Sequence, residues 1–386
     1  MPKTVSRQPR KSQKNIIKSQ YFGSLPLKRV FTLSNHLFNL KKLMKKILLS
    51  LFFVPAVVFA QTKAVKIVRD DANKKVEILV DGKPFTSYIY PGADVLKKAV
   101  LYPVRTSKGT LITRGWPLDP RPGERVDHPH HVGVWLNYED VNGHDFWNNS
   151  NTPPSAKGVY GTIVHTGITS AKSGKNKGSL VVTADWLDKN GKLMLKETTT
   201  YIFQGTDNQR VMDRITTLTA ADKDVIFKDV KDGMFAIRLA RQLEHPSTKA
   251  EIFTDASGVA TKVPSLDNTG ITGSYINKEG IKGDDTWAKR SDWINLRGKI
   301  GEENISVAII DHPKNAGYPA YWHSRGYGLF AVNPLGQKVF SNGKEELNLK
   351  LAPNQSTTFR YRMVVTSGEV SDVEMNKLSA DFGKIK

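Results

Sequence analysis

The sequence predicts an all-β fold: a large antiparallel β-sandwich with long loops and a C-terminal helix. Three observations lead to this expectation. Short runs rich in β-branched and aromatic residues alternate apolar with polar positions and are broken by turn residues. Asn190-Gly191 joins two such runs, and this dipeptide favours the tight type I′ turn of a hairpin. Only the C-terminal segment has the pattern of a convincing helix.

The strands are expected in series within a single domain over residues 61–386. Residues 65–90 predict two strands and a third entered through Asp81-Gly82, while 184–203 predict a hairpin around Asn190-Gly191. Ser371 followed by Glu374 is a capping-box pair that opens a helix over 371–385. Two stretches, 115–130 and 267–293, interrupt the series as long loops, and such loops are usually functional. Further strands are expected at 211–220, 224–230, 234–240, 305–311, 327–333 and 359–368, and a solvated hairpin tip at 172–179.

The N-terminal region has the layout of an export signal. In residues 44–60, lysines precede an apolar run of about 12 residues that ends in Val58-Phe59-Ala60, which is typical of a secretory signal peptide. Neither this run nor any later one approaches the roughly 20 apolar residues of a membrane span. We expect cleavage near Ala60 and a periplasmic or secreted protein. Residues 1–43 are then an upstream extension without structure, translated from a start codon other than the one for Met44.

The charge of the chain excludes nucleic acid as the expected partner. The formal net charge is +20, but residues 1–60 hold twelve basic residues and no acidic ones. Removing these twelve from the 57 basic residues leaves 45 against 37 acidic residues, a net charge of +8. The chain has no cysteine, so the folded part contains no disulfide.

Four of the nine histidines lie in residues 128–147, HPHHVGVWLNYEDVNGHDFW. If a strand starts at His131, then His131, Gly133, Trp135 and Asn137 share one face, and the glycine leaves room for a ligand. A turn at 140–143 would return His144, Asp145 and Trp147 along the next strand. His131 is the candidate general base, with Asp145 as the carboxylate that orients it. Hydrogen-bonded structural histidines at a strand entry are the alternative.

The same histidines are also candidate ligands of a divalent metal. His128, His130, His131 and His144 lie close in sequence and beside carboxylates, and imidazole binds zinc, copper or iron. The spacing of His128, His130 and His131 matches no standard ligand template.

A second polar cluster occupies residues 311–328, DHPKNAGYPAYWHSRGYG. His323, Arg325 and Tyr327 alternate on one face of a strand, so we expect His323 as a catalytic acid and Arg325 as the anchor of a substrate carboxylate. Surface polar residues around a loop are the alternative. Asp232 and Arg238, which bracket another strand, form a third and weaker candidate pair.

Tryptophans accompany these polar clusters, and flat rings among polar groups suit a sugar, which has an apolar face and a hydrogen-bonding rim. Burial in the core is the alternative for each ring. The candidate substrate-binding residues are Trp135, Asn137, Trp147, Trp287, Arg290 and Tyr327.

Three of these motifs carry a family resemblance. DHPHHVGVW with NGHDFW, GDDTWAKRSDW, and DHPKNAGYPAYWHSRGYG with NPLG resemble an uncharacterised bacterial family labelled methane oxygenase PmoA. The resemblance spans roughly residues 85–370. It implies a β-rich exported protein found among sugar-degrading systems, and it brings no established catalytic residues.

The sequence thus leaves three functions open. The first is an enzyme that acts on a glycoside or sugar acid by hydrolysis, elimination or epimerisation, with His131, Asp145, His323 and Arg325 in its cleft. The second is a non-catalytic carbohydrate-binding β-sandwich. The third is a metal-dependent oxygenase.

Overall fold

The alternating pattern becomes two large antiparallel sheets in the computed structural model, which describes residues 61–255, 257, 259–263 and 267–385. The expected extension 1–43 and signal peptide 44–60 lie outside the described residues. The helices are Gln337–Phe340 and Asp372–Gly383, with 3₁₀ turns at Arg241–Leu243 and Gly283–Thr286. The strands are β1 (Val65–Asp70), β2 (Lys75–Val80), β3 (Lys83–Ile89), β4 (Val100–Leu101), β5 (Val134–Tyr138), β6 (Thr162–Lys172), β7 (Gly178–Leu187), β8 (Leu193–Gly205), β9 (Gln209–Ala220), β10 (Val225–Ile226), β11 (Gly233–Arg238), β12 (Glu251–Thr254), β13 (Ala260–Val263), β14 (Ser274–Asn277), β15 (Trp293–Ile300), β16 (Glu303–Asp311), β17 (Tyr321–Arg325), β18 (Leu329–Asn333), β19 (Lys350–Leu351) and β20 (Ser356–Ser367).

Each large sheet has eight strands. The first sheet has the order β1-β2-β3-β4-β5-β11-β18-β17, and the second has the order β14-β15-β16-β20-β9-β8-β7-β6. Every pairing within them is antiparallel. The remaining strands in the described residues form two small two-stranded sheets, β10-β19 and β12-β13. The predicted antiparallel β-sandwich is confirmed.

The main core lies between the two sheets. Phe85 of the first sheet meets Phe203 of the second edge to face at 6.2 Å, and Phe235 stacks on Tyr361 at 5.1 Å. The alternation of β5 sends Val134, Leu136 and Tyr138 into this core, while Trp135 belongs to a separate cluster on the other side of the sheet. Along β5 the first sheet therefore packs against the main core on one side and carries the second cluster on its outer side. The candidate site is built on this outer side.

The C-terminal helix begins where the cap predicted it. The Ser371 side chain accepts a hydrogen bond from the Glu374 backbone at 3.2 Å, and the helix runs to Gly383. The Glu374 carboxylate, however, accepts from Gln209 of β9 at 2.9 Å, so only one half of the capping box is formed. Met375 and Phe382 are the buried face of the helix. None of the helices found in the described residues is long and apolar enough to cross a membrane.

Two local expectations about the histidine stretch are wrong. The strand begins at Val134, not at His131, because Gly133 has a φ of +57° that breaks the extended run. Gly133 also leaves no room for a ligand, since an added Cβ would lie 2.2 Å from the Leu101 carbonyl oxygen. After the turn the chain does not return as a strand, and only one isolated bridge joins Val141 to His144.

The two expected loops differ from each other. Residues 115–130 contain no strand or helix, as predicted. Residues 267–293 are not a continuous loop, because the described part includes β14 and the 3₁₀ turn Gly283–Thr286. β14 pairs with β15 and so extends the second sheet by one strand.

Candidate functional site

The strand register places both histidine motifs on the outer face of the first sheet. Trp135 of β5 pairs with Ala236 of β11, Ala236 pairs with Ala331 of β18, and Ala331 pairs with His323 of β17. Trp135 and His323 are therefore three strand spacings apart, about 14 Å. The two alanines between them carry the smallest side chains that a strand can offer apart from glycine. This row forms the floor of the candidate site.

Four aromatic rings form a stack at one end of this floor. Tyr327 stacks on His128 at 5.3 Å and 4°, and His128 stacks on His131 at 4.7 Å and 2°. His131 in turn stacks on Trp135 at 5.2 Å and 20°. His130 meets the edge of His131 at 4.3 Å. The stack runs from the half-buried Tyr327 and the exposed His128 to the buried His131 and Trp135.

Asp127 is the electrostatic centre of the stack. Its carboxylate accepts hydrogen bonds from two buried arginines, Arg114 and Arg238, the second at 2.6 Å. The other carboxylate oxygen lies 3.0 Å from His128 Nδ1. Burial acts to raise the pKa of Asp127, but the charge of Arg238 and the contacts with His128 and Arg114 outweigh it and hold that pKa well below its usual range. Asp127 is therefore a permanent anion that orients His128.

His131 is fixed in one tautomer. Its Nδ1 lies 3.1 Å from Arg238 Nη1, and because a guanidinium can only donate, this nitrogen must be the acceptor. The proton of the neutral ring then sits on Nε2, which has no hydrogen-bond partner. Burial, together with the charges of its neighbours, holds the pKa of His131 well below its usual range. His131 is thus a neutral hydrogen-bond donor, not the general base that the sequence suggested.

A second histidine–carboxylate pair stands at the other end of the floor. His323 Nδ1 lies 3.2 Å from the Asp232 carboxylate, and both side chains are largely buried. The Asp232 backbone N–H donates to the Glu139 carboxylate at 3.2 Å. Burial and the charge of Asp232 raise the pKa of Glu139 to about 7, whereas the contact with His323 outweighs burial and lowers the pKa of Asp232. Two neighbouring carboxyl groups thus differ in acidity, which is typical of acid–base sites.

Tyr327 lies between two arginines, with the guanidinium carbons of Arg238 and Arg325 at 4.8 and 6.0 Å from its ring. Burial raises its pKa to about 12, and the charges that act on it come from Arg238 and Arg325, which lower it, and from Asp232 and Asp127, which raise it.

A cavity of about 360 Å³ adjoins Tyr327. Arg325 and Trp287 line it, and the Arg325 guanidinium carbon lies 5.7 Å from the Trp287 ring and 6.0 Å from the Tyr327 ring. Arg325 is exposed, and its guanidinium makes no hydrogen bond or ion pair with any residue that the structure describes. Arg325 thus gives the cavity an uncommitted cation between two aromatic walls.

Asp145 does not orient His131. Its carboxylate accepts from the backbone and side chain of Asn148 at 2.8 and 2.9 Å. Because the expected second strand does not form, the carboxylate points into its own turn. Asp145 still lies near the site, since its charge acts on Glu139 and on Lys98.

Trp135 and Trp147 are buried, at 0% and 1% exposure, so neither presents a face to a sugar. They fill the cluster beneath the site with Val132, Leu329 and other apolar side chains. Asn137 is also buried and donates to the Phe146 carbonyl at 2.6 Å. Of the rings that the sequence proposed for sugar binding, Trp287 and Tyr327 are the ones that line the cavity.

Two predicted residues lie outside the site. Arg290 donates to the Gly317 carbonyl at 3.0 Å and forms an ion pair with Glu345. It therefore holds these two segments together and is not available to a substrate. His144 sits in the turn after β5, where its ring contacts the Asn142 carbonyl at 3.2 Å.

The proposed metal ligands do not fit a metal ion. The rings of His128 and His131 are parallel, so the lone pairs of their nitrogens lie in parallel planes and cannot converge on one ion. Arg238 occupies Nδ1 of His131, and His144 is elsewhere. Within the residues that the structure describes, no three His, Asp or Glu side chains are arranged to hold a metal.

Sequence reasoning missed Asp127, Glu139 and Lys98 as site residues. Lys98 is buried and donates to the His130 carbonyl at 2.8 Å, and its ammonium lies 5.5 Å from the Trp135 ring. Burial lowers the pKa of Lys98 to about 7, against the opposing charge of Asp145. Asp127 precedes the histidines directly and could have been noticed from that position. No local sequence pattern identifies Glu139 or Lys98, because their shifted pKa values result from burial in the folded protein.

Among solved structures, the chain has low similarity to three sugar enzymes, two of them over part of their length. A GH36 alpha-galactosidase from Geobacillus stearothermophilus is 11% identical over 78% of this chain and 40% of that chain, with a TM-score of 0.37. Galactose 1-epimerase from Lactobacillus acidophilus is 12% identical over 81% of this chain and 100% of that chain, with a TM-score of 0.34. An alpha-galactosidase from Lactobacillus brevis is 12% identical over 84% and 41%, with a TM-score of 0.33. The chain spans about two fifths of the length of the two galactosidases.

No curated protein sequence matches this chain. A family model does match, over residues 75–380, and it describes a family of unknown function, DUF6807. The match includes every strand from β2 to β20 and all the site residues described above.

Proposed function

The chain belongs to DUF6807, and we propose that it is a carbohydrate-active enzyme that moves a proton on an anionic sugar. One observation carries the proposal: two histidine–carboxylate pairs, Asp127–His128 and Asp232–His323, stand on the same face of one sheet, and Tyr327 stacks on the ring of His128. A pair of oriented imidazoles on either side of a bound molecule can remove a proton from one face and return one to the other.

His128 is the better placed of the two histidines to act as the base. Its Nδ1 is held by the permanently ionised Asp127, so its Nε2 carries the free lone pair. Its side chain is 40% exposed, whereas the whole of His131 is 1% exposed. The proton would leave the carbon next to a carboxylate or carbonyl group, and the electron pair of the C–H bond would move into that group as an enolate. Reprotonation from the side of His323 and Glu139 gives epimerisation, and loss of a neighbouring hydroxyl gives elimination.

Arg325 supports an anionic substrate. Its guanidinium is uncommitted among the described residues, and a guanidinium binds a carboxylate through two parallel hydrogen bonds. Trp287 and Tyr327 beside it give apolar faces among polar groups, which suits a pyranose ring. A uronic or other sugar acid meets both requirements.

Proton exchange with solvent tests the proposal without knowledge of the product. We expect the wild-type protein in D₂O to incorporate deuterium at the carbon next to the carboxylate of at least one sugar acid, as followed by proton NMR. Each sugar acid is paired with its neutral parent sugar, which should not exchange because it lacks a partner for Arg325. His128→Gln and His323→Gln should each slow the exchange by about a hundredfold or more.

His144→Gln is the matched control, because it removes a histidine from the same sequence motif that lies outside the site. It should exchange at the wild-type rate. If no sugar acid exchanges but sugars bind and Trp287→Ala abolishes that binding, the protein is a carbohydrate-binding module and the enzymatic proposal is wrong.

A further inference from the structure

At the buried end of the stacked rings lie nitrogen atoms that have no hydrogen-bond partner among the described residues. They are Nδ1 and Nε2 of His130, Nε2 of His131 and Nε1 of Trp135. The three residues are 4%, 1% and 0% exposed. Their rings are in contact, at 4.3 Å between His130 and His131 and 5.2 Å between His131 and Trp135. Buried polar groups almost always have partners, so a group of them without any points to a molecule that supplies the missing half of each bond.

The chemistry of these atoms shows which molecule is missing. The Trp135 indole can only donate, and His131 Nε2 must also donate because Arg238 holds Nδ1 as an acceptor. A neutral His130 adds one further N–H. The amine of Lys98 lies 5.5 Å from the Trp135 ring and donates to the His130 carbonyl. The group therefore presents at least three N–H donors and, on its side chains, a single acceptor.

Two carboxylates lie near this group, and neither neutralises it. Asp127 is already shared between Arg114, Arg238 and His128. Asp145 acts on Lys98, but its oxygens accept from Asn148. The N–H groups of His130, His131 and Trp135 thus have no protein acceptor among the described residues.

We propose that His130, His131 and Trp135 form an oxyanion site whose N–H groups donate to the two oxygens of a substrate carboxylate, or of the enolate formed from that carboxylate, because the nearly parallel rings of His131 and Trp135 direct their N–H groups to different oxygens. This inference deepens the proposed function, on which the identity of the oxyanion rests. It separates two tasks in the histidine motif: His128, at the exposed end of the stack, handles the proton, while His131 and Trp135, at the buried end, stabilise the charge that forms. Preorganised neutral donors in a buried place are effective for this purpose, because they need no rearrangement when the charge develops.

Small anions test the site in the absence of turnover. With ¹⁵N-labelled protein, the NMR spectrum should show His131 as the Nε2–H tautomer. Formate, as a carboxylate probe, and acetohydroxamate, as a planar enolate mimic, should each shift the His131 Nε2–H and Trp135 Nε1–H signals. Tighter binding of acetohydroxamate assigns the site to an enolate, and tighter binding of formate assigns it to a carboxylate. If neither probe moves these signals, the site holds only water and the inference is wrong.

Trp135→Phe removes the indole donor and keeps an aromatic ring in the stack. We expect it to weaken the binding of the preferred probe by about tenfold or more, which is the effect of losing one hydrogen bond to a charged group. Trp147→Phe is the matched control, since Trp147 lies in the same apolar cluster and its nitrogen is not among the buried unpartnered atoms. It should bind the probe like the wild type. Equal weakening in both variants would show loss of packing and would overturn the inference.

The test of the oxyanion site can fail or succeed independently of the test of the proposed function. Probe binding without deuterium exchange in any sugar acid would leave the oxyanion site standing and overturn the enzymatic proposal. Deuterium exchange in a protein that binds neither probe, and at the same rate in Trp135→Phe, would leave the enzyme standing and overturn the oxyanion site.

Discussion

His128 has a backbone φ of +43°, a conformation that residues with a Cβ adopt only at a cost in free energy. Such strain persists where surrounding contacts fix the residue, and it concentrates at functional sites. Here the contacts are the hydrogen bond from Arg114 to the His128 carbonyl at 3.0 Å and the pairing of the ring with Asp127. The strain and the exposure of the ring both favour His128 as the histidine that meets the substrate.

The raised pKa of Glu139 gives the site a stability signature that depends on pH. A carboxyl group whose pKa is higher in the folded than in the unfolded chain destabilises the fold as pH rises above the unfolded value, and the penalty is complete above the folded value. Glu139→Gln should therefore be more stable than the wild type above about pH 7, by on the order of 1 kcal/mol after screening by solvent, and equally stable below pH 4.5. Chemical denaturation across this range measures the difference.

Glu302→Gln is the control for that experiment, since the Glu302 side chain is 98% exposed. It should follow the wild-type stability at every pH. A Glu139→Gln variant that is less stable than the wild type above pH 7 would show that the carboxylate form is needed by the fold and would remove Glu139 as a proton donor.

At the scale of elements, hydrogen bonds and ion pairs with two arginines, Arg114 and Arg238, hold the loop over residues 115–131 on the sheet. Arg114 donates to the Asp127, His128 and His131 carbonyls at 2.8, 3.0 and 3.1 Å. Arg238, at the end of β11, reaches the same loop through the Asp127 carboxylate. The loop therefore needs no secondary structure of its own to present the histidines in fixed positions.

Removing the charge of Asp127 should release this loop. Asp127→Asn leaves two buried arginines without their carboxylate, and breaking a buried ion pair in this way costs about 3–5 kcal/mol. We expect that loss in the free energy of unfolding, together with faster amide hydrogen exchange over residues 115–131. Asp119→Asn, an exposed change in the same loop, should alter neither quantity. Unchanged stability in Asp127→Asn would mean that the arginines find other partners, and Asp127 would then not be the centre of the site.

The C-terminal helix shows how a strong local signal and tertiary contacts combine. The Ser371 cap fixes where the helix starts, because its side chain meets the backbone of Glu374 in the next turn. The position of the helix is set by packing instead, with Phe382 against His312 at 5.0 Å. The cap could be predicted from four residues, whereas the docking surface could not.

For the whole molecule, we propose export and cleavage after Ala60. The chain should be recovered from the periplasm or medium when it is expressed with its own N-terminal region in a bacterial host. N-terminal sequencing of that product should give Gln61, free or cyclised. A lysine-to-glutamate change at both Lys45 and Lys46 should reduce export, because the positive charge before the apolar run is part of the signal. Recovery of a mature protein that retains residues 1–43 would contradict the proposal.

The sequence by itself determined the fold class and much of the layout of the strands. Period-two alternation and turn residues act between near neighbours, so the Asn190-Gly191 hairpin and the inward face of β5, Val134 and Leu136, could be predicted. The sequence also led us to expect that the two histidine motifs serve one cleft, and Tyr327 of the second motif stacks on His128 of the first.

Only the tertiary structure decided which residue does what in that site. Arg238 contacts Asp127 across 111 positions of sequence and His131 across 107. Its contact with Nδ1 makes His131 a donor, which leaves His128 as the candidate base. Burial, which no local pattern reveals for a single polar residue, raises the pKa of Glu139 and lowers that of Lys98. The reason is physical: periodicity and turn chemistry are local, whereas ion pairs and desolvation depend on which distant segments the fold brings together.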